Sequence, residues 1–374
     1  MWATISTIAD YLEDLAPAAL AMPGDLVGLQ IGNPRDEVEK ILVALELDEA
    51  VLLQAEAESV GLVVTHHPLL FQPLHVIDES RAHGALIARI IRNKIGVYSA
   101  HTNLDIAPRG LNYHLAGLLG LAGAGREVLR VTDYDQLIKL VVFIPEGHVD
   151  DVRNALAEAG AGWIGKYSHC TFQAPGTGTF MPREGAEPYI GRPGSLEKVA
   201  EQRLETVFPA SCRKRVIEAL LTAHPYEEVA YDLYTLNDMG EPVGMGFLGR
   251  LEPPLSLQAI VSRCRERLNL SGIRYWAPDR PTFTKVAVCG GSGGSLVEAA
   301  ARLGAELFIS GDFRYHDLQA ARAAGMGLID AGHYGTEQPV IALLTDYITE
   351  RLGRDALRTA VIPAGAAPTD WSYY

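Results

Sequence analysis

Apolar residues recur along this chain with two different periods. Residues 4–16 (TISTIADYLEDLA) carry them at helical spacing, whereas 40–47 (KILVALEL) and 61–65 (GLVVT) are short, nearly continuous runs of the kind found in buried strands. In the first third, 49–59, 80–93 and 110–120 read as helices and 95–100 (IGVYSA) as a third strand. The last third repeats the alternation, with strands at 285–289, 306–310 and 326–330 and helices at 296–303, 314–324 and 336–351. Strands alternating with helices predict βαβ units, hence an α/β core with a largely parallel sheet flanked by helices.

The middle of the chain follows another pattern. Aligning Pro145 with Pro209 sets Val152, Ala155, Leu156 and Ala159 over Val216, Ala219, Leu220 and Ala223. In both copies the shared positions trace one helical face, behind a strand and a proline. The pattern implies a duplicated strand–helix unit, each copy completed by a further strand, near 163–173 and 229–236. Two such units predict a ferredoxin-like α+β domain, with the Gly- and Pro-rich stretch 174–195 as a long loop. This inserted domain is placed at 128–245, leaving a discontinuous core domain of 1–127 and 246–374.

Composition narrows the function classes. The chain has 374 residues, 48% of them hydrophobic, and a net charge of −14. That charge argues against a nucleic-acid groove, which needs clustered Lys and Arg. The four cysteines are widely spaced, which argues against a disulfide framework or a thiolate zinc knot. No apolar run is long enough to span a bilayer, and the opening segment, interrupted by Asp10, Glu13 and Asp14, does not read as a signal peptide. A reduced, cytoplasmic location is expected.

The chemistry sits at strand ends, where open parallel sheets bind ligands. LVVTHHPLLF (62–71) runs a strand into His66, His67 and Pro68; YSAHTNLD (98–105) runs one into His101 and Asp105; LIDAGHYGTEQPV (328–340) runs one into His333 and Glu337. A helix beginning near His333 puts His333 and Glu337 on one face. Alone, the paired histidines read better as one exposed and one hydrogen-bonded core residue, Asp105 as a helix cap or turn residue, and His333 with Glu337 equally well as an exposed polar pair. Together His66, His67, His333, Asp105 and Glu337 bring three imidazoles and two carboxylates to what is read as one edge of one sheet. Five ligands with a carboxylate able to bridge suit two divalent ions, and nitrogen and oxygen donors suit zinc, iron, manganese, cobalt or nickel without choosing among them. Asp312 and His316 in SGDFRYH follow another strand end and are candidates to orient a ligand or move a proton, with His101 and Asp330 as weaker candidates. CGGSGGS (289–295) reads either as an anion cradle at a helix N-terminus or as a tight turn for close packing.

The segments THHPLLF, SAHTNLD, SGDFRYHD and IDAGHYGTEQP, with LEDLAPAALAMPGDLVGLQIGNP near the start, resemble the signature segments of NIF-three-like proteins, also called GTP cyclohydrolase 1 type 2 homologues. The resemblance implies that His66, His67, Asp105, His333 and Glu337 hold the metal pair, Glu337 bridging, with His67 and Asp105 on one ion and His66 and His333 on the other. It implies a PII- or CutA-like insert, to which HPYEEVAYD (224–232) is similar, and a ring-shaped homohexamer. It also points to a metal-dependent hydrolase acting on a small molecule, in its narrowest form one that opens the purine ring of GTP. The alternative is a non-enzymatic metal-binding regulatory or chaperone protein. GDLVGL (24–29) departs from the family at the position after Asp25, where Asn is frequent.

Overall fold

The computed structural model describes residues 1–121, 127–237 and 240–365. The chain divides into two compact units, Met1–Asp133 with Val243–Tyr374, and Tyr134–Pro242.

In the larger unit the predicted helices and strands form, but they build two sheets instead of one. The first has the strand order Ala360–Pro363, Lys40–Ala44, Leu62–Thr65, Gly96–Ser99 and Gly28–Ile31. Its first four strands run parallel, and the last pairs antiparallel. The second runs Arg274–Trp276, Gly327–Asp330, Leu307–Gly311, Phe283–Ser292, Glu241–Leu255 and Glu127–Asp135. Here only the three central strands, Gly327–Asp330, Leu307–Gly311 and Phe283–Ser292, are mutually parallel, and antiparallel strands flank them. Each run of strand–helix units thus closes its own sheet with a strand of opposite sense, which the apolar runs alone do not reveal.

The buried strands are apolar on both faces, as helix-covered parallel strands require: Ile41, Leu42, Val43, Leu62, Val63 and Val64 are all fully buried. The helix Ile5–Leu15 starts where the Thr4 hydroxyl accepts the Thr7 amide hydrogen bond, and buries Ile5, Ile8, Leu12 and Leu15 on one face. Leu344 and Ile348 of the helix Pro339–Arg354 join the same core.

The smaller unit has the order strand Leu137–Pro145, helix Val149–Glu158, strands Phe172–Phe180 and Glu197–Pro209, helix Arg213–Ala223 and strand Tyr231–Thr235. Its antiparallel sheet places the fourth of these strands beside the first, then the third, then the second, the β-α-β-β-α-β arrangement of ferredoxin-like domains. The aligned Val152 and Leu156, and Val216 and Leu220, pack into one core with Leu204 and Phe208. The strand expected near 163–173 begins only at Phe172 and runs to Phe180, mostly within the stretch read as loop. Its Pro and two Gly are tolerated because it is an edge strand, paired on one side only. His224 is structural, since its Nε2 bonds the Phe143 carbonyl (3.0 Å) and its Nδ1 accepts from the Tyr226 amide (3.1 Å).

Candidate metal centre

The paired histidines owe their position to the sheet. Beyond Leu62–Thr65 the His66 and His67 amides still bond the Leu45 carbonyl (3.1 and 2.8 Å), and the next residues turn at Pro68. The Ser99 hydroxyl donates to the His66 carbonyl (2.9 Å) and the Thr65 hydroxyl to that of His67 (2.8 Å). Backbone locked in this way holds side chains more exactly than a free loop does. Past Gly96–Ser99, the short helix Thr102–Ile106 carries Asp105. In the second sheet, Gly327–Asp330 leads through Gly332 into the helix His333–Glu337, which starts at His333 as the spacing requires.

The two ends are stapled by Asn112. Its side-chain amide donates to the Asp105 carbonyl (3.0 Å) and its oxygen accepts from the Gly290 amide (2.7 Å). The Gly291 amide donates to the Thr336 hydroxyl (2.9 Å) and the Gly293 amide to the Gly311 carbonyl (3.2 Å). These three amides are therefore committed within the protein, where the glycines pack closely on their neighbours. At Gly291 (φ +64°) a Cβ would come within 2.2 Å of Glu337 Oε1.

All five predicted ligands converge. Glu337 Oε2 lies 2.9 Å from His67 Nε2 and 3.0 Å from His333 Nε2. His66 Nε2 lies 3.7 Å from Asp105 Oδ1 and 3.9 Å from Glu337 Oε1. By these distances His67 and His333 share one oxygen of Glu337, while His66 lies near Asp105 and the other oxygen, so Glu337 is common to both pairs. His66, Asp105 and Glu337 are almost wholly buried.

His101 belongs with them. Its ring centroid is 5.2 Å from that of His66 and 5.7 Å from that of His67. Donor atoms of His66, His67 and His101 lie within 4.8 Å of one another, as do those of His67, His333 and Glu337, so these groups could hold a metal ion. His316 does not join them: it is exposed and its ring neighbour is Tyr315, at 5.5 Å. Asp312 lies behind His333 and accepts from its Nδ1 (2.7 Å). Asp330 is occupied by Arg274 and the Phe313 and Gly332 amides.

Sequence reading missed the carboxylates that orient the rings. Asp25 accepts from His101 Nδ1 (2.9 Å) and from the Thr102 amide (3.1 Å). Glu46 sits 3.6 Å from His67 Nδ1. His66 Nδ1–H donates to the Ala100 carbonyl (2.8 Å), which turns the Nε2 lone pair inward. A carboxylate or carbonyl behind a ligating imidazole is the usual outer support of metal-bound histidines. The signal for Asp25 was GDLVGL itself, which brings a carboxylate to His101.

The charge states follow. Burial pushes the His66 ring down to about 4, so it is neutral. Burial also opposes charge on His67, but hydrogen bonds to Glu337 and Glu46 outweigh it and raise the ring to about 9. His333, bonded to Glu337, is likewise raised to about 9. Burial would raise Glu337, yet its hydrogen bonds to His333 and His67 hold it far below the usual carboxylate range. Burial, reinforced by the Glu337 charge, pushes Asp105 well up. Among the described residues, His66 Nε2 and Asp105 Oδ1 are buried without a hydrogen-bond partner. Each such orphan costs about 1–3 kcal/mol, and a cation between them would satisfy both. The nitrogen and oxygen donor set thus fits a divalent metal ion.

Comparison with known proteins gives the family. Residues 3–368 match the family model described as Duf34/NIF3 (NGG1p interacting factor 3). A Bacillus subtilis (strain 168) protein named "GTP cyclohydrolase 1 type 2 homolog" is 41% identical over 327 residues, 87% of each chain. A Mycobacterium leprae protein of the same name is 38% identical over 358 residues, 94% of this chain and 92% of that one. The solved structure of a Bacillus cereus protein related to NIF3 is 38% identical and superimposes over both full chains with a TM-score of 0.82. In the described residues no helix is long and apolar enough to cross a membrane. With the match running from end to end, the chain belongs to the Duf34/NIF3 family.

Proposed function

We propose that this protein is a metal-dependent hydrolase with a dinuclear centre held by His66, His67, Asp105, His333 and Glu337. The observation that carries the reading is the pair of buried, unpartnered donors, His66 Nε2 and Asp105 Oδ1, facing a carboxylate already shared by two imidazoles. Glu337 turns one oxygen toward His67 and His333 and the other toward His66, the disposition of a bridging ligand. When bound, two divalent ions supply Lewis acidity that polarises a substrate and lowers the pKa of water.

The chain's own residues do the rest. Ala100, Glu46 and Asp312 fix the His66, His67 and His333 rings from behind. His101 is oriented by Asp25 through Nδ1, which leaves Nε2 to carry a proton to a leaving group at the edge of the cluster. The substrate in this reading is a small molecule. A nucleotide is its narrower form, suggested by the names of the relatives. The same reading takes the smaller unit as PII/CutA-like, for which its β-α-β-β-α-β order is the support, and the assembly as a homohexamer in the cytoplasm.

The test is turnover of a panel of nucleotides, phosphodiesters and cyclic amides by metal-loaded protein, beside Glu337→Ala. Turnover by wild type that the variant loses is the expected result. No turnover, or equal turnover by the variant, overturns the hydrolase reading. Size-exclusion chromatography with light scattering tests the hexamer.

A further inference from the structure

The smaller unit contains a chamber that the metal chemistry does not use. Its helices cover one face of the sheet, packing on Val142, Ile144, Leu204 and Phe208. Alternation then turns Phe143, Glu201 and Arg203 to the other face, where Phe143 and Arg203 are cross-strand partners. That face is bare in a simple ferredoxin-like sheet. Here the segment after Phe172–Phe180 folds back over part of it and leaves a half-open cavity of about 720 Å³. Two contacts pin this cover: the Glu187 amide donates to Glu227 Oε2 (2.9 Å), and the Tyr189 hydroxyl lies 3.0 Å from His148 Nε2.

The walls have a definite chemistry. Phe180, Tyr226 and Tyr189 form a continuous aromatic surface, with centroids 5.8 Å apart for Phe180–Tyr226 and 6.3 Å for Tyr189–Tyr226. At the floor Glu201 is only 7% exposed. One of its oxygens accepts from the Tyr226 hydroxyl (2.9 Å). The other lies over Gly178, where a Cβ would come within 2.1 Å of it, so the glycine of the edge strand makes room for the carboxylate. Glu227 and Glu228 also line the chamber. Among the described residues of the lining, the one cationic side chain, Arg203, is paired with Glu205 at 2.9 Å. Among the described residues the Tyr226 hydroxyl is the one donor found on Glu201, and a largely buried carboxylate favours a cationic partner that offsets its desolvation.

We propose that this chamber is a binding site for a small organic cation, an ammonium group carried on an apolar or aromatic body. The ammonium would pair with Glu201, and the body would lie against the rings of Phe180, Tyr189 and Tyr226, which attract cations through their faces. The acidic lining disfavours anions of the same shape.

The test uses the full-length protein and three probes with one aromatic body: phenethylammonium, phenethyl alcohol and 3-phenylpropionate. Calorimetric titration is expected to show saturable binding of phenethylammonium, with the alcohol and the carboxylate weaker by at least about 10-fold. Glu201→Gln keeps the size and the acceptor for Tyr226 but removes the charge, and is expected to weaken the ammonium by about 10-fold or more and leave the alcohol unchanged. Equal or tighter binding of the carboxylate, no binding of the ammonium up to about 10 mM, or unaltered affinity in folded Glu201→Gln overturns the proposal. Should Glu201→Gln fail to fold, Tyr189→Ala, at an exposed position of the cover, decides: weakened ammonium binding supports the site and unchanged binding refutes it.

Discussion

Loading the metal-free protein with zinc should expel protons in a number the geometry fixes. His67 and His333 each hold a proton against Glu337, with both rings raised to about 9. At pH 7 a group with that pKa is about 0.99 protonated, whereas an ordinary imidazole near 6.5 is about 0.24 protonated. Ligation requires the neutral ring, so the two histidines release about 2 protons together, against about 0.5 for unperturbed rings. Asp105, pushed up by burial and by Glu337, adds to the release. Calorimetric titration in buffers of different ionisation enthalpy reads this number as the slope of apparent enthalpy against buffer enthalpy. A slope of at least about 2 at pH 7, declining as pH rises past 9, is expected, with affinity increasing over the same range. Asp312→Asn should lower the slope by less than one proton, because Glu337 still holds His333. A slope of about 0.5 in wild type would refute the charge assignment of the cluster.

Three further outcomes follow from the same contacts. His66 is neutral in the fold and protonates once unfolded below about 6.5, so its burial stabilises less and less as pH falls from 6.5 toward 4; a shift of this size amounts to about 3 kcal/mol. Urea unfolding of metal-free wild type and His66→Gln should therefore converge or cross between pH 7 and 4.5, and a pH-independent difference would contradict it. Gly291→Ala should leave the fold intact but lower zinc affinity at least about 10-fold, since the new Cβ collides with Glu337 Oε1 at a left-handed backbone position; unchanged metal content by mass spectrometry would contradict it. Asn112→Ala removes two buried hydrogen bonds and should cost about 2–4 kcal/mol in urea unfolding; a loss below about 1 kcal/mol would show that the staple is dispensable.

The ligands were legible because each follows an apolar strand, and a strand end is where backbone pairing stops and side chains are free to converge. His66, His67 and Asp105 obey this in one sheet and His333 and Glu337 in the other. That two sheets and not one supply them was not legible, since the antiparallel strands Gly28–Ile31 and Arg274–Trp276 are short and little buried, and an apolar run such as that in Glu241–Leu255 does not reveal its direction. Of the orienting carboxylates, Asp312 was legible because it too follows a strand end, whereas Asp25 and Glu46 act across the fold, and no local spacing marks a residue whose partner is remote. The edge strand Phe172–Phe180 was masked by its own composition. Pro175, Gly176 and Gly178 signal a turn in isolation, and only pairing with Glu197–Pro209 makes them strand.

In the proposed centre five side chains from two sheets hold a pair of cations across Glu337. Crystals of wild-type protein equilibrated with zinc test it most directly, through anomalous scattering at the zinc edge. Two peaks about 3.5–4 Å apart, one beside His66 and one beside His67, with Glu337 between them and both lost in Glu337→Ala, are expected. A single peak, or zinc bound elsewhere with the cluster unchanged, would contradict the dinuclear centre.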